Sequence, residues 1–573
     1  MITPPERPSK SRLRRTARQS GHRALGRLFG LPAPTTEYTV ERGLRVPMRD
    51  GVDLVADHYA PTDTANIAGT ILVRGPYGRG VPFSVLYGWL YAARGYHVVL
   101  QSVRGTFGSG GVFQPFLNEA SDGADTVKWL RLQPWFTGRL ATIGPSYVGV
   151  AQWALLTDPP PELAAAVVTA APHDVCSSMW GTGAFTLADV LGWSHAVSPR
   201  EAGRLREMIR GAGAHRRLVR AMSGLPLGES SGALLGGSAA WFESWIEHRE
   251  PDTPFWEPYR FGTALTRLTA PVLLIGGWQD GFLSQTLEQY QMLRDRGVDV
   301  ALTVGPWTHV QLSTTGAGRV ARESLEWLDQ HLTDNHPGPA RSRVRVYING
   351  DDWVELPDWP PVSSPRVLYL AAGAALVDRP GDSRGSSFFI YDPANPTPVL
   401  GGPLAFAANG GYREDSALAR RDDVLSFTSE PLSSDLYVIG RPVVELSHAA
   451  NIPHVDVAVR ISELDSRGRS RNVGDGYRRL IATPEPGTVQ IDLEAVAHRF
   501  RAGSRIRLLV AGGAHPRFDR NLGTGEPLIT GRRLVAATHT VHHSADLSSC
   551  LVLPTTRTRP SADGTANAVD DSA

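Results

Sequence analysis

Three short stretches hold the residues whose types and order could do chemistry. They are Gly144-Pro145-Ser146-Tyr147-Val148-Gly149, Gly276-Gly277-Trp278-Gln279-Asp280-Gly281 and Gly305-Pro306-Trp307-Thr308-His309. A serine hydroxyl is a weak nucleophile at neutral pH and needs a base in contact with it. His309 could accept its proton and return it to a leaving group. Asp280 could fix the imidazole tautomer and stabilise the imidazolium. The chain order Ser, Asp, His is that of hydrolases whose serine sits at a sharp strand-to-helix turn of a parallel sheet. The usual turn reads G-x-S-x-G. Here Val148 stands where the second glycine is expected, and the glycine falls at 149. An ordinary Gly-Pro-Ser turn would look the same. The joint occurrence of the three loops therefore carries the reading, not the hexamer.

An acyl-transfer site also needs donors for a tetrahedral oxyanion. The backbone N–H of Tyr147 is one. Tyr77, in the loop after the apolar run Ile71-Leu72-Val73, is placed to supply the second from its phenol.

The elements that must position these residues can be read from periodicity. Tyr38 to Val46 and Val52 to Tyr59 read as a hairpin about the turn Met48-Arg49-Asp50-Gly51. Short continuous apolar runs then alternate with helical stretches: strands at Ile71 to Val73, Tyr96 to Leu100, Leu140 to Ile143 and Ala164 to Thr169. The pattern resumes with strands at Pro271 to Ile275 and Val300 to Gly305, and with helices at Leu283 to Arg296 and Arg322 to Leu332. Alternating β and α predicts a parallel sheet with helices on its faces. Asp280 and His309 then lie just past the C-terminal ends of their strands, where open α/β sheets place their sites.

The stretch 174–260 differs. Helical pieces (Glu201 to Arg210, Ala214 to Met222, Ala239 to Arg249) and tryptophans (Trp180, Trp193, Trp241, Trp245, Trp256) dominate, which predicts a helical cap. From Arg343 strand-like runs recur between Pro and Gly signals, as in an all-β sandwich. The expected division is a disordered basic extension over 1–36, an α/β domain over 37–173 and 261–340, the cap over 174–260, a jelly roll over 341–555 and a disordered tail over 556–573.

The 573-residue chain is 42% hydrophobic with net charge +1, which argues against nucleic acid or an acidic membrane surface as main partner. No apolar run approaches the length of a membrane-spanning helix. Cys176 and Cys550 lie too far apart for a metal motif or a disulfide framework, and fit a reducing compartment. Gly181-Thr182-Gly183 lacks the third glycine and the preceding strand of a dinucleotide motif.

Taken together, Gly75-Pro76-Tyr77-Gly78, Val103-Arg104-Gly105-Thr106 with Gly108-Ser109 and Gly111, Trp129-Leu130 with Gln133-Pro134-Trp135, Gly144-Pro145-Ser146-Tyr147, Gly277-Trp278 with Asp280-Gly281, and Gly305-Pro306-Trp307 with His309 resemble the cocaine esterase / X-Pro dipeptidyl-peptidase family of serine hydrolases. That family's turn is Gly-x-Ser-Tyr-x-Gly, which accounts for Val148. Tyr347 to Trp359 and His515 to Gly525 also resemble its motifs. The resemblance implies an α/β-hydrolase domain with an inserted cap, followed by a galactose-binding-like jelly roll. It implies Ser146, Asp280 and His309 as catalytic triad, Tyr77 and Tyr147 as oxyanion hole, and Trp180, Trp193 and Phe282 as substrate-pocket aromatics. One departure is Ser102, where relatives often carry Asp.

The expected activity is hydrolysis of an ester or amide through an acyl-enzyme, without cofactor or metal. A carboxylesterase of the cocaine-esterase type comes first. The alternative is an Xaa-Pro dipeptidyl-peptidase or a hydrolase of α-amino acid esters or β-lactams. A third reading is an inactive hydrolase scaffold with a binding jelly roll. Expected partners are a small ester or a short peptide, with no nucleic acid or membrane, in a cytoplasmic protein compatible with a homodimer. Substrates with a free ammonium call for a carboxylate in the pocket; Asp174, Glu243, Glu247 and Asp252 are available in the insertion.

Overall fold

The computed structural model describes residues 21–198, 212–333, 343–380, 385–405, 410–556 and 558–560. Ten strands form the first sheet: β1 (Tyr38–Pro47), β2 (Asp53–Pro61), β3 (Gly69–Gly75), β4 (Tyr96–Ser102), β5 (Leu140–Pro145), β6 (Leu163–Thr169), β7 (Val272–Gln279), β8 (Val300–Thr308), β9 (Val344–Tyr347) and β10 (Trp353–Leu356). Their order is β1-β2-β4-β3-β5-β6-β7-β8-β9-β10. The β1–β2 hairpin is antiparallel and joins β4 antiparallel; from β4 to β9 neighbours are parallel.

The central strands are buried on both faces, and their period of two sorts side chains between two cores. In β7, Val272 and Leu274 enter one core while Leu273 and Ile275 enter the other; β6 divides Ala166 and Val168 from Ala165 and Val167 in the same way. Helices α1 (residues 21–28), α2 (Ser84–Ala92, opening with a π turn), α3 (Glu119–Arg131) and α4 (Tyr147–Leu155) precede the cap.

Two expectations change here. The extension over 1–36 is not wholly disordered. Residues 21–28 are helical, Leu25, Phe29 and Leu31 pack on the second core, and Arg94 donates to the Pro32 carbonyl. These apolar residues sit among arginines, which masked them as a solvated run. The boundary at 341 also moves. Strands β9 and β10 extend the first sheet, β9 pairing in parallel with β8, so they are not the first strands of the sandwich. Strand pattern alone does not say which sheet a strand joins.

The cap contains α5 (Val175–Trp180), α6 (Leu187–Val197), α7 (Ala212–Ser223), α8 (Leu227–Leu235) and α9 (Ala240–Glu247). The helix expected over 201–210 lies outside the described residues. Trp180, Trp245 and Trp256 are buried in the cap's share of the first core. The sheet then resumes with α10 (Thr263–Arg267), α11 (Leu283–Asp295), α12 (His309–Leu312) and α13 (Ala317–Leu332).

From Ser364 the described strands form a second sheet of 13. Strands at the two ends of its order, Ser386–Tyr391 and Ser470–Ile481, give Phe389, Tyr391 and Val473 to one core, so the sheet closes on itself as a sandwich. It is bolted to the cap. Asp519 accepts the Phe185 amide at 2.6 Å, the Thr182 carbonyl accepts the Arg479 amide at 2.8 Å, and the Pro516 carbonyl accepts the Ala188 amide at 3.0 Å.

Candidate active site

Ser146 lies between β5 and α4 with φ 56° and ψ −129°. A non-glycine residue there stores about 1–3 kcal/mol of strain. The neighbouring residues explain why the turn holds. A Cβ on Gly144 would stand 2.1 Å from the Val148 side chain, and one on Gly149 2.4 Å from the Ala171 Cβ. Gly149 is therefore the glycine that lets α4 settle against the chain after β6. Val148 is tolerated because its neighbours Gly75 and Gly144 both lack side chains; a Cβ on Gly75 would lie 2.7 Å from Val148 Cγ2.

Asp280 follows β7 and His309 opens α12. His309 Nδ1–H donates to Asp280 Oδ2 at 2.6 Å, and Asp280 Oδ1 accepts the Phe282 amide at 2.7 Å. The Asp280 side chain is fully buried. Burial pulls the His309 pKa down, but the charge and hydrogen bond of Asp280, helped by Asp189, win and hold it above the usual histidine value. The Thr308–Gln311 capping box fixes the start of α12. The Phe282 ring meets the imidazole edge-on at 5.3 Å.

Ser146, Tyr147, His309, Phe282 and Trp193 line one cavity. Tyr77 stands beside it. Its hydroxyl accepts Trp193 Nε1–H at 3.1 Å, and the Ser146 hydroxyl and Tyr147 amide lie in hydrogen-bonding range of the same oxygen. Burial raises the Tyr77 phenol's pKa, so it stays a proton donor. The Tyr147 ring stacks between Phe116 and Trp193, and its hydroxyl is clamped. Its hydroxyl donates to Glu119 at 2.8 Å and accepts the Phe116 amide at 3.0 Å, and Glu119 pairs with Arg74 at 3.1 Å. Ser102 accepts a hydrogen bond from Arg79, whose charge is met by Asp57 at 3.1 Å. A serine suffices there because Asp57 supplies the carboxylate.

Trp180 is not among the cavity-lining residues. Its indole is buried in the cap, donating to the Trp245 carbonyl at 3.1 Å. None of the four acids expected for an ammonium lines the cavity either; Asp174 caps α5 and faces Arg260. Asp189, which the sequence reading passed over, does line it, with Phe116, Met179, Thr186 and, from beyond the first sheet, Ala405. Asp189 stands four residues before Trp193 on α6, so the i, i+4 spacing from a flagged aromatic was the signal that could have found it.

The arrangement can hold a carbonyl between a serine, a charge-backed imidazole and two oxyanion donors. With the strand order above, it defines an α/β-hydrolase. Residues 50–311 match the X-Pro dipeptidyl-peptidase (S15 family) model, and residues 337–552 match the X-Pro dipeptidyl-peptidase C-terminal non-catalytic domain. Cocaine esterase of Rhodococcus sp. (strain MB1 Bresler) is 30% identical over 90% of this chain and 98% of its own length. Among solved structures, an aminopeptidase of a marine-sediment Thaumarchaeota archaeon superposes with TM-score 0.78 at 24% identity, covering 91% of this chain and 97% of that one. An α-amino acid ester hydrolase does so with TM-score 0.77 at 23% identity, covering 92% and 98%. The chain belongs to the X-Pro dipeptidyl-peptidase (S15) and cocaine esterase family, and is a serine hydrolase of ester or amide bonds. No helix among the described residues is long and apolar enough to cross a membrane.

Proposed function

We propose that the protein is a carboxylesterase that works through an acyl-enzyme, with Ser146 as nucleophile. His309 takes the serine proton as Ser146 attacks the substrate carbonyl, and passes it to the leaving alcohol as the tetrahedral intermediate collapses. Asp280 holds the Nδ1–H tautomer and stabilises the imidazolium. The Tyr77 hydroxyl and the Tyr147 amide receive the oxyanion. Water then repeats the sequence on the acyl-Ser146 ester and releases the acid. The observation that carries this reading is the 2.6 Å His309–Asp280 hydrogen bond beside the same cavity as a strained Ser146. A reducing, cytoplasmic setting suits Cys176 and Cys550, both buried as free thiols.

A substrate panel tests it: aryl esters of neutral acids against an Xaa-Pro anilide. Ester turnover that Ser146→Ala abolishes is expected. Turnover of the anilide alone would assign the site to peptides, and equal ester turnover by Ser146→Ala would remove the serine mechanism.

A further inference from the structure

The acid and the base each follow a residue that the sandwich touches. Gln279, the last residue of β7, precedes Asp280, and Thr308, the last of β8, precedes His309. The two face each other across the strands, but outside the regular ladder. That ladder runs to Gly277 and Gly305; beyond it Trp278 stands against both Pro306 and Trp307. An extra residue of this kind bends its strand and interrupts the pairing. The sheet therefore brings acid and base to one edge, and its regular pairing ends just short of them.

The sandwich makes the next contacts. Asn472, 193 residues beyond Gln279, lies buried on the strand Ser470–Ile481. Its Oδ1 accepts the Arg413 amide at 2.5 Å, which leaves Nδ2 to donate. Nδ2 donates to Gln279 Oε1 at 3.2 Å and to the Gly411 carbonyl at 3.2 Å. Gln279 Nε2 in turn donates to the Val473 carbonyl at 3.3 Å. One backbone amide thus sets the orientation of both side-chain amides. Gly411 reaches the other strand. A Cβ on it would stand 3.0 Å from Thr308 Cγ2, and Thr308 caps the helix that His309 opens.

A buried glutamine is costly unless its amide is paired. Both polar atoms of Gln279 find sandwich partners, and its bond to the neighbouring Trp278 carbonyl is longer, 3.4 Å. Neither Gln279 nor Asn472 is among the cavity-lining residues, so neither serves by touching a substrate.

We propose that Asn472 is a positioning residue for the acid–base pair: bound to Gln279 and Gly411 together, it holds the ends of β7 and β8 so that Asp280 and His309 keep their hydrogen bond. The inference rests on those two residues serving Ser146 in acyl transfer. It makes the sandwich a working part of the α/β site as well as a neighbour of the cap.

Asn472→Ala tests it on 4-nitrophenyl isobutyrate, with rates referred to the number of Ser146 sites that a fluorophosphonate labels at completion. That count removes any fraction lost to misfolding. kcat per labelled site should fall by about 10- to 100-fold, with KM nearly unchanged. The rising limb of kcat/KM against pH should also move down. His309 faces the charges of Asp280 and Asp189, which hold it above its usual value against burial, and a loosened Asp280 bond lets burial lower it. An unchanged kcat per site, a loss confined to KM, or an unmoved midpoint would overturn the proposal.

If Asn472→Ala yields no labelled sites, Gln279→Met decides, because it leaves the Asn472 bonds to Arg413 and Gly411 in place and cuts the link to β7. It should show the same two changes, and their absence overturns the proposal. Where both variants fold, the double variant should lose no more kcat than Asn472→Ala alone, since both cut one link; multiplied losses overturn the proposal. Wild-type protein without Ser146-dependent turnover would instead strike the esterase reading. Normal wild-type turnover with an unaltered Asn472→Ala strikes only Asn472.

Discussion

The cavity has two walls of different construction. One is made at strand ends, Ser146 after β5 and His309 after β8, backed by Tyr77 after β3 and Asp280 after β7. The other is made of α5 and α6 of the cap, with Ala405 reaching in beyond the first sheet. On the first wall the backbone places each group, because parallel neighbours in register bring their C-terminal ends to one edge. On the second, placement depends on contacts between segments hundreds of residues apart, such as Phe185 with Asp519 and Asp189 with Ala405. The comparison suggests that chemistry resides in the strand-end wall and selection in the helical one. Substitutions should divide accordingly, into losses on every substrate and losses on some.

The largest effect should come from Ser146→Ala, which should lower kcat on a neutral aryl ester by on the order of 10⁴- to 10⁶-fold, measured at saturating substrate. Next, Asp280→Asn should cost on the order of 10⁴-fold in kcat. Its pH profile is more telling than its size. In wild type, kcat/KM should climb as pH rises through the free-enzyme pKa of His309, held above 6.5. Because Asp280 supplies the attraction that offsets burial, the Asn variant's midpoint should move to lower pH; an unmoved midpoint would detach His309 from the profile. Tyr77→Phe should lose about 10²- to 10³-fold in kcat with little change in KM, as expected of an oxyanion donor. A loss confined to KM would move Tyr77 to the selecting wall.

The smallest effect concerns stability. Gly75→Ala forces a methyl against Val148 Cγ2 and should destabilise by about 1–3 kcal/mol, read as a lower first thermal midpoint. Val148→Ala in the same chain should restore part of it, because the two residues share one space. Independent effects would break the explanation of why valine replaces the usual glycine.

The strand-end wall was legible because its rules are local. A continuous apolar run followed by Gly and a polar loop can be read without knowing the neighbours, and the Ser, Asp, His order supplies the rest. The β1–β2 hairpin was legible for the same reason: Asp50-Gly51 marks the turn. The selecting wall was not. Trp180 and Trp193 look alike in sequence, yet one closes the cap's own core and the other borders the cavity. Asp189 follows Leu187 and Ala188 at the start of a helix, a position where an acid is ordinarily explained by the helix dipole. Beyond its spacing from Trp193, it is the approach of Ala405 that distinguishes it. Likewise, β9 reads as a strand, but its partner β8 could not be inferred from Val344 to Tyr347 alone.

The most direct test of the strand-end wall as the chemical one is the intact mass of the protein after treatment with a fluorophosphonate, followed by peptide mapping. The account predicts a single phosphonyl adduct on the peptide containing Ser146, absent from Ser146→Ala. No adduct on the wild type, or the same adduct on Ser146→Ala, would contradict it.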